Sequence, residues 1–349
     1  MGTKRKISQT QIARDLGVSQ ALVSLALNGR SEGIHPETYR RIWDRAISQG
    51  YLPKGMRVES APDKSRIQQI GFILRSPFRL YIPSAYFGHV QHGLHQELEK
   101  HGYRSVFLGS EDELTPEKLR SIFHPSNQLG GVALLGEVAK PFLNELLKLT
   151  RRVVAVSARY VGYCHSVLGN EPQALGEVVN HLYSLGHRRI GWLGGNANLG
   201  RHESRFAAFK VAMEQKGLSI DPRYNVVLKE GDRAEGVEAI HAMLPHARRK
   251  DFPTAFATYN TPMASGAALA LLREGWTLPD DLSLAAGDVS DLSTEGSFRI
   301  TSAGTSPDRL GAAAARLILA KGLPEEGFTD LVLPAPLLIG DSTAPARKD

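Results

Sequence analysis

From residue 67 onward the chain alternates short apolar runs with amphipathic stretches, and that alternation narrows the folds open to it. Runs at 70–74, 105–108, 131–135, 153–156, 189–193, 255–257 and 282–286 read as strands. Helical spacing covers 86–101, 141–149, 171–185, 201–216, 234–244, 263–274 and 308–320. Strands alternating with helices of this length build parallel sheets flanked by helices. Six or more such units exceed one compact sheet, so two lobes with a cleft are expected. Ligands in such folds sit at the carboxyl ends of the strands, and clefts between lobes are common ligand sites.

The first fifty residues follow a different pattern. In "SQTQIARDLGVSQALVSLALNGR", starting at Ser8, Ile12, Ala13 and Leu16 share one helical face. Gly17 permits a left-handed turn. Ser19 caps a second helix whose inner face is Leu22, Val23 and Ala26, and Asn28-Gly29 ends it. A third helix starts near Pro36 and carries Ile42, Trp43, Ala46 and Ile47. This spacing fits a helix-turn-helix: Ala13 is small where the second helix crosses, and Val18 and Val23 fill the wedge. In that geometry the second helix enters the major groove of DNA. Its outward residues are Gln20, Ala21, Ser24 and Leu25. Gln20 suits adenine, and Ala21 or Leu25 suits a thymine methyl. Ser19, Ser24, Asn28 and Thr38 are candidate phosphate contacts.

Charge points the same way. Residues 1–66 hold twelve of the 42 Lys and Arg but only six of the 36 Asp and Glu, which leaves thirty of each elsewhere. The whole net charge of +6 therefore sits in the first fifth of the chain. Such asymmetry suits a module that meets a polyanion. A solvated basic face, or a three-helix scaffold that binds protein, is the plainer alternative.

"QIARDLGVSQALVSLALNG" followed by "ETYRRIWDRAISQGYLP" resembles the DNA-binding headpiece of the LacI/GalR family of bacterial transcriptional regulators. The likeness covers residues 7–53, with Ser8 at its start. It departs at Leu25, where the family has an arginine late in its recognition helix, and at His35, where a serine usually caps the third helix. Later segments are also similar to that family: "LYSLGHRRIGWLGG", "SRFAAFKVAM", "PTAFATYNTPMASGAALALLREGWTLPDDLSLAAGD" and "DRLGAAAARLIL". The resemblance implies an α/β chain with an all-α helix-turn-helix headpiece at residues 1–53. A hinge follows at 54–66 and a two-lobed periplasmic-binding-protein-like core at 67–349. It also implies a homodimer on a pseudo-palindromic operator and a small-molecule effector that alters DNA affinity, with no cofactor and no membrane partner.

The same resemblance carries site residues over by position. Phe87, in an aromatic pair with Tyr86, suits stacking on a ring or sugar face. Arg205 stands where the family has a ligand-binding arginine, and Asn260 and Asp288 stand at polar positions after two strands. Ser157 replaces an aspartate after the fourth strand, and Arg233 falls where an aromatic is usual. The competing structural readings are Phe87 in the core, Arg205 paired with an acid and Asp288 capping a loop. Thinner acidic groups make an anionic ligand less costly to bury, so an acidic sugar derivative or a nucleobase-like compound joins plain sugars as an expected effector.

In the hinge, the family pattern puts a short helix into the minor groove, where a leucine wedges between base steps. Tyr51 and Pro53 match, whereas Lys54, Gly55, Arg57 and Ser60 do not. Met56 is the one apolar candidate near a wedge position. The expectation is that Lys54 and Arg57 contact DNA electrostatically, with little kinking.

Enzyme signatures are weak. "GWLGGNANLGR" lacks the P-loop Lys-Ser/Thr and the G-x-G-x-x-G spacing, and reads better as a loop lining the cleft. His89, His92 and His95 drift around their helix instead of sharing a face for a metal. Cys164, the single cysteine, rules out an intrachain disulfide. No apolar run approaches the length of a membrane span, and the basic, polar start lacks a signal core, so a cytoplasmic protein is expected. A ligand-responsive regulator and a small-molecule binder with secondary DNA binding are the two functional readings.

Overall fold

The computed structural model describes residues 8–28, 30, 33–48, 68–78, 85–124, 127–197, 199–247, 249–294, 298–320 and 327–347. The chain divides into two compact units, Met1–Arg66 and Ile67–Asp349.

The first unit holds three helices: α1 (Gln9–Leu16), α2 (Gln20–Leu27) and α3 (Pro36–Ser48). Ser8 and Ser19 start the first two, each hydroxyl accepting a backbone N–H three residues on, at 3.3 and 3.2 Å. Gly17, at φ 67°, turns the chain between them in the left-handed region that glycine tolerates. Ile12, Ala13, Val23, Ala26, Leu27, Ile34, Ile42 and Ala46 form the core, with Leu16, Val18, Leu22 and Trp43 packed on its edge. Arg45 Nη2 meets Asp15 Oδ2 at 2.7 Å and ties α3 to α1.

The second unit begins with β1 (Gln69–Leu74), α4 (Ala85–Lys100), β2 (Arg104–Ser110), α5 (Pro116–Ile122), β3 (Leu129–Leu135), α6 (Lys140–Leu147), β4 (Val153–Val156) and β5 (His165–Gly169). It continues with α7 (Glu171–Ser184), β6 (Ile190–Gly194), α8 (Gly200–Gln215), β7 (Asn225–Val227), α9 (Arg233–Met243), β8 (Ala255–Thr258), α10 (Thr261–Arg273) and β9 (Ser283–Ala286). Then come α11 (Asp291–Thr294), β10 (Thr301–Ala303), α12 (Pro307–Leu319), β11 (Asp330–Leu333) and β12 (Leu337–Leu338). The first sheet runs β11-β5-β4-β3-β1-β2 and every pairing in it is parallel. The second runs β12-β10-β9-β8-β6-β7 and is parallel except for the β10–β12 pair. Both sheets are buried between helices, which explains why their inner strands read as unbroken apolar runs.

Three connections cross between the lobes, after β5, after β10 and after β11. They lie side by side. Asn170 N donates to Leu333 O at 3.0 Å, and Thr305 Oγ1 donates to the carbonyls of Leu333 and Pro334 at 3.2 and 2.9 Å. Each lobe also has one close helix pair. On α4 and α12, a Cβ at Gly93 would overlap the Asp308 carbonyl and one at Gly311 would overlap the Val90 carbonyl. On α9 and α10, Gly236 and Gly266 stand in the same relation to Met263 and Arg233. Among the described residues no helix is long and apolar enough to cross a membrane.

Candidate functional site

Both lobes turn the carboxyl ends of their strands toward one cleft of about 500 Å³. Residues following β1, β3 and β4 (Arg75, Gly136, Glu137, Ser157) line it from the first lobe, with Tyr86 and Phe87 of α4. Residues following β6, β7, β8 and β9 (Asn196, Gly231, Asn260, Asp288) line it from the second. This is where parallel strands leave unpaired backbone ends and loops free to vary.

An ion-pair network borders it through Arg201 and Arg205. Glu171, the first residue of α7, accepts from Arg201 Nε at 3.0 Å and from Arg205 Nε at 2.6 Å. Burial by itself raises the Glu171 pKa, but the two guanidiniums outweigh it and hold the carboxyl below its ordinary value. Arg205 is buried, donates from Nη1 to the Tyr259 carbonyl and lies 3.6 Å from Asp288 Oδ2. Its guanidinium carbon is 4.6 Å from the centre of the Tyr259 ring. Among the described residues its Nη2 has no hydrogen-bond partner. Arg201 Nη2 reaches Tyr86 Oη at 3.3 Å, and Tyr86 Oη lies 2.7 Å from Ser157 Oγ.

Polar contacts cross from lobe to lobe. Gly200 N, at the start of α8, donates to Glu137 Oε2 at 3.0 Å, and Arg75 Nη2 donates to Asn196 Oδ1 at 3.1 Å. His89 of α4 meets Asp291 at 2.8 Å. A second cavity of about 560 Å³ adjoins the first and shares Glu137, Ser157 and Arg201 with it.

The structure brings Phe87, Ser157, Arg205, Asn260 and Asp288 to this cleft. It also gives several of them structural work. Phe87 belongs to the core of the first lobe as well as to the wall. Asn260 caps α10, its Oδ1 accepting from Met263 N at 2.9 Å while its Nδ2 donates to Gly231 O at 2.7 Å. Asp288 Oδ1 accepts from Thr261 N at 2.8 Å. Arg233 is a correction. It is exposed and absent from the cleft wall, because Asp232 caps α9 by accepting from Glu235 N at 2.8 Å and makes Arg233 the first helical residue. Glu230, Gly231 and Asp232 line the cleft in its place. Arg75, Glu171 and Arg201 were missed by sequence reasoning. Arg75 directly follows a strand and Arg201 falls in the glycine-rich stretch read as a cleft loop, so position was the available signal.

In the first unit, Gln20, Ala21 and Leu25 are exposed on α2, Leu25 at 42%. Ser24 is half-buried, and Asn28 Nδ2 lies 3.5 Å from its Oγ. Thr38 is half-buried on α3. Ser8 and Ser19 serve as helix caps, each with its hydroxyl hydrogen still able to meet an acceptor. Tyr51, Lys54, Met56 and Arg57 lie outside the described residues. The histidines of α4 are divided among separate partners: His89 meets Asp291 and Asp308, and His95 meets Ser105 and Glu99.

Residues 179–343 match a periplasmic binding protein-like domain. The chain is 26% identical to catabolite control protein A of Priestia megaterium, over 88% of this chain and 90% of that protein. It is also 26% identical to the maltose regulon regulatory protein MalI of Escherichia coli, over 97% of this chain and 99% of that one. Among solved structures, the lac repressor dimer bound to operator and the anti-inducer ONPF superposes with a TM-score of 0.65 at 19% identity, covering 97% of this chain and all of that one. Matches that run through both the three-helix unit and the two-lobed core lead to one conclusion: over nearly its whole length the chain is similar to transcriptional regulators of the LacI family.

Proposed function

We propose that the chain is a repressor that binds a pseudo-palindromic operator as a homodimer and releases or tightens its hold when a small polar molecule enters the core cleft. A helix-turn-helix at residues 1–53 reads the operator, and residues 54–66 join it to the core. Gln20, Ala21 and Leu25 face base edges, while Ser8, Ser19, Ser24, Asn28 and Thr38 contact phosphates. Lys54, Met56, Arg57 and Tyr51 follow on the hinge side. Such a protein works in the cytoplasm, with the DNA.

The observation that carries this reading is the cleft itself. Its walls come from both lobes, three adjacent connections join those lobes, and polar contacts span it at Glu137–Gly200, Arg75–Asn196 and Tyr86–Arg201. A ligand that touches both walls stabilises one degree of closure over another, and only such differential binding shifts a conformational equilibrium. Arg205 and Asp288 offer donors and acceptors to the ligand, Ser157 and Tyr86 offer hydroxyls, and Phe87 and Phe78 an apolar wall. Asn260 shapes the wall more than it binds, since its amide already serves as cap and bridge.

The test is selection of DNA from a random pool with the full-length chain, followed by binding at several salt concentrations. A palindromic site is expected, with affinity falling about 10³- to 10⁵-fold between roughly 50 and 200 mM salt if six to ten phosphates are contacted. A flat salt dependence, or no enriched site, would leave the chain as a small-molecule binder without operator function.

A further inference from the structure

Arg75 differs from the other two arginines of the cleft. Arg201 and Arg205 share the Glu171 carboxylate. Arg75 is half-buried, and among the described residues its guanidinium hydrogen bond goes to a neutral amide, Asn196 Oδ1 at 3.1 Å. Among the described residues no carboxylate lies within ion-pair distance of it. Burial pushes its guanidinium pKa down, and Glu137 and Glu230 oppose that only from a distance. The chain also makes room for this side chain. Gly136, at φ 94°, lies beneath it, where a Cβ would stand 2.6 Å from Arg75 Cδ and 2.8 Å from Phe87 Cζ. Phe78 flanks the guanidinium, 5.0 Å from its carbon. A positive charge is thus held on the cleft wall with a neutral partner. A planar carboxylate is the group that a guanidinium fork accepts best.

We propose that the effector is an acidic sugar, a compact polyhydroxylated molecule with one carboxylate, and that Arg75 receives that carboxylate. The inference rests on the reading of the cleft as the effector site. A single charge fits better than a phosphate dianion, because Glu137, Glu230, Asp232, Asp288 and Asp291 line the same cavity and repel added negative charge. Those carboxylates accept hydrogen bonds and suit the ligand's hydroxyl groups. Phe78, Phe87, Leu199 and Pro262 supply surface for its C–H face. In binding, the ligand carboxylate replaces or joins Asn196 at Arg75, which ties charge recognition to a contact that spans both lobes.

Calorimetry on the full-length chain with galactose, galacturonate, gluconate and glucose 6-phosphate tests this, using the wild type, Arg75→Gln and Arg75→Lys. Cooperative melting without ligand checks that each variant is folded. The expected result is that a uronate or aldonate binds wild type more tightly than the neutral and phosphorylated sugars do. Arg75→Gln should then weaken it about 10- to 100-fold, and Arg75→Lys less. Neutral or phosphorylated sugar bound more tightly, or equal affinity in Arg75→Gln, overturns the acidic-sugar assignment. If such a sugar also changes operator binding, the effector role of the cleft stands without it. Absence of binding by all four overturns the assignment too, while the effector reading is judged separately, by whether any ligand bound in the cleft changes operator affinity.

Discussion

Glu171 is the residue on which the cleft's electrostatics turn. It neutralises Arg201 and Arg205 together, and only 15% of its side chain is exposed. Glu171→Gln keeps the shape but takes the carboxylate from Arg201 and leaves Arg205 with Asp288 at 3.6 Å, and breaking a buried pair from one side typically costs about 3–5 kcal/mol. Urea unfolding of the variant should show a loss of this order. The pH dependence follows from the sign of the shift. The folded-state pKa is depressed, so the carboxylate's contribution is complete above its unfolded value of 4.5 and disappears as pH falls through the lower folded value. The stability gap between wild type and Glu171→Gln should be constant from about pH 6 to 8 and close only in acid below about pH 4.5. A gap that changes near neutrality would point to another group. Cys164 contributes nothing to this site: it is buried beside β4, and burial pushes its thiol pKa up to about 12.

At the scale of elements, close helix contacts organise both lobes. Gly311 on α12 has no space for a side chain against Val90, whereas Gly88 on the partner helix α4 faces open space. Gly311→Ala should therefore destabilise the core by about 1–3 kcal/mol through overpacking. Gly88→Ala, in the same helix pair, should stabilise it by about 0.5–1 kcal/mol, because alanine restricts the unfolded chain and favours helix. Denaturant midpoints would check both signs.

Sequence patterning located these helices to within a residue or two, together with strands β1, β2, β3, β4, β6, β8 and β9. It missed β5, "HSVLG", whose buried His165 and Ser166 break the apolar run, and β10, "TSA", three residues of which two carry hydroxyl groups. Both are placed by the sheet and not by composition. Phe87, Ser157, Arg205, Asn260 and Asp288 were legible as cleft residues because they follow strands at familiar positions. The Glu171 network was not, since residues 30 and 34 positions apart meet only once α7 packs against α8. Arg233 was misplaced because a capping aspartate one residue earlier decides which side chains face the cleft.

On the scale of the whole molecule, charge and chemistry are divided. The basic excess lies in the first 66 residues, while the core carries balanced charge and a cleft spanned by polar contacts. Three adjacent connections let the lobes respond together to a ligand that touches both walls. The central claim is that occupancy of this cleft changes operator affinity, and coupling of this kind is usually about 5- to 150-fold. The most direct measurement is fluorescence anisotropy of the selected operator titrated with full-length protein at fixed salt, with and without a saturating cleft ligand verified by calorimetry. The account predicts isotherms displaced by at least about fivefold. Superimposable isotherms with ligand demonstrably bound would contradict it.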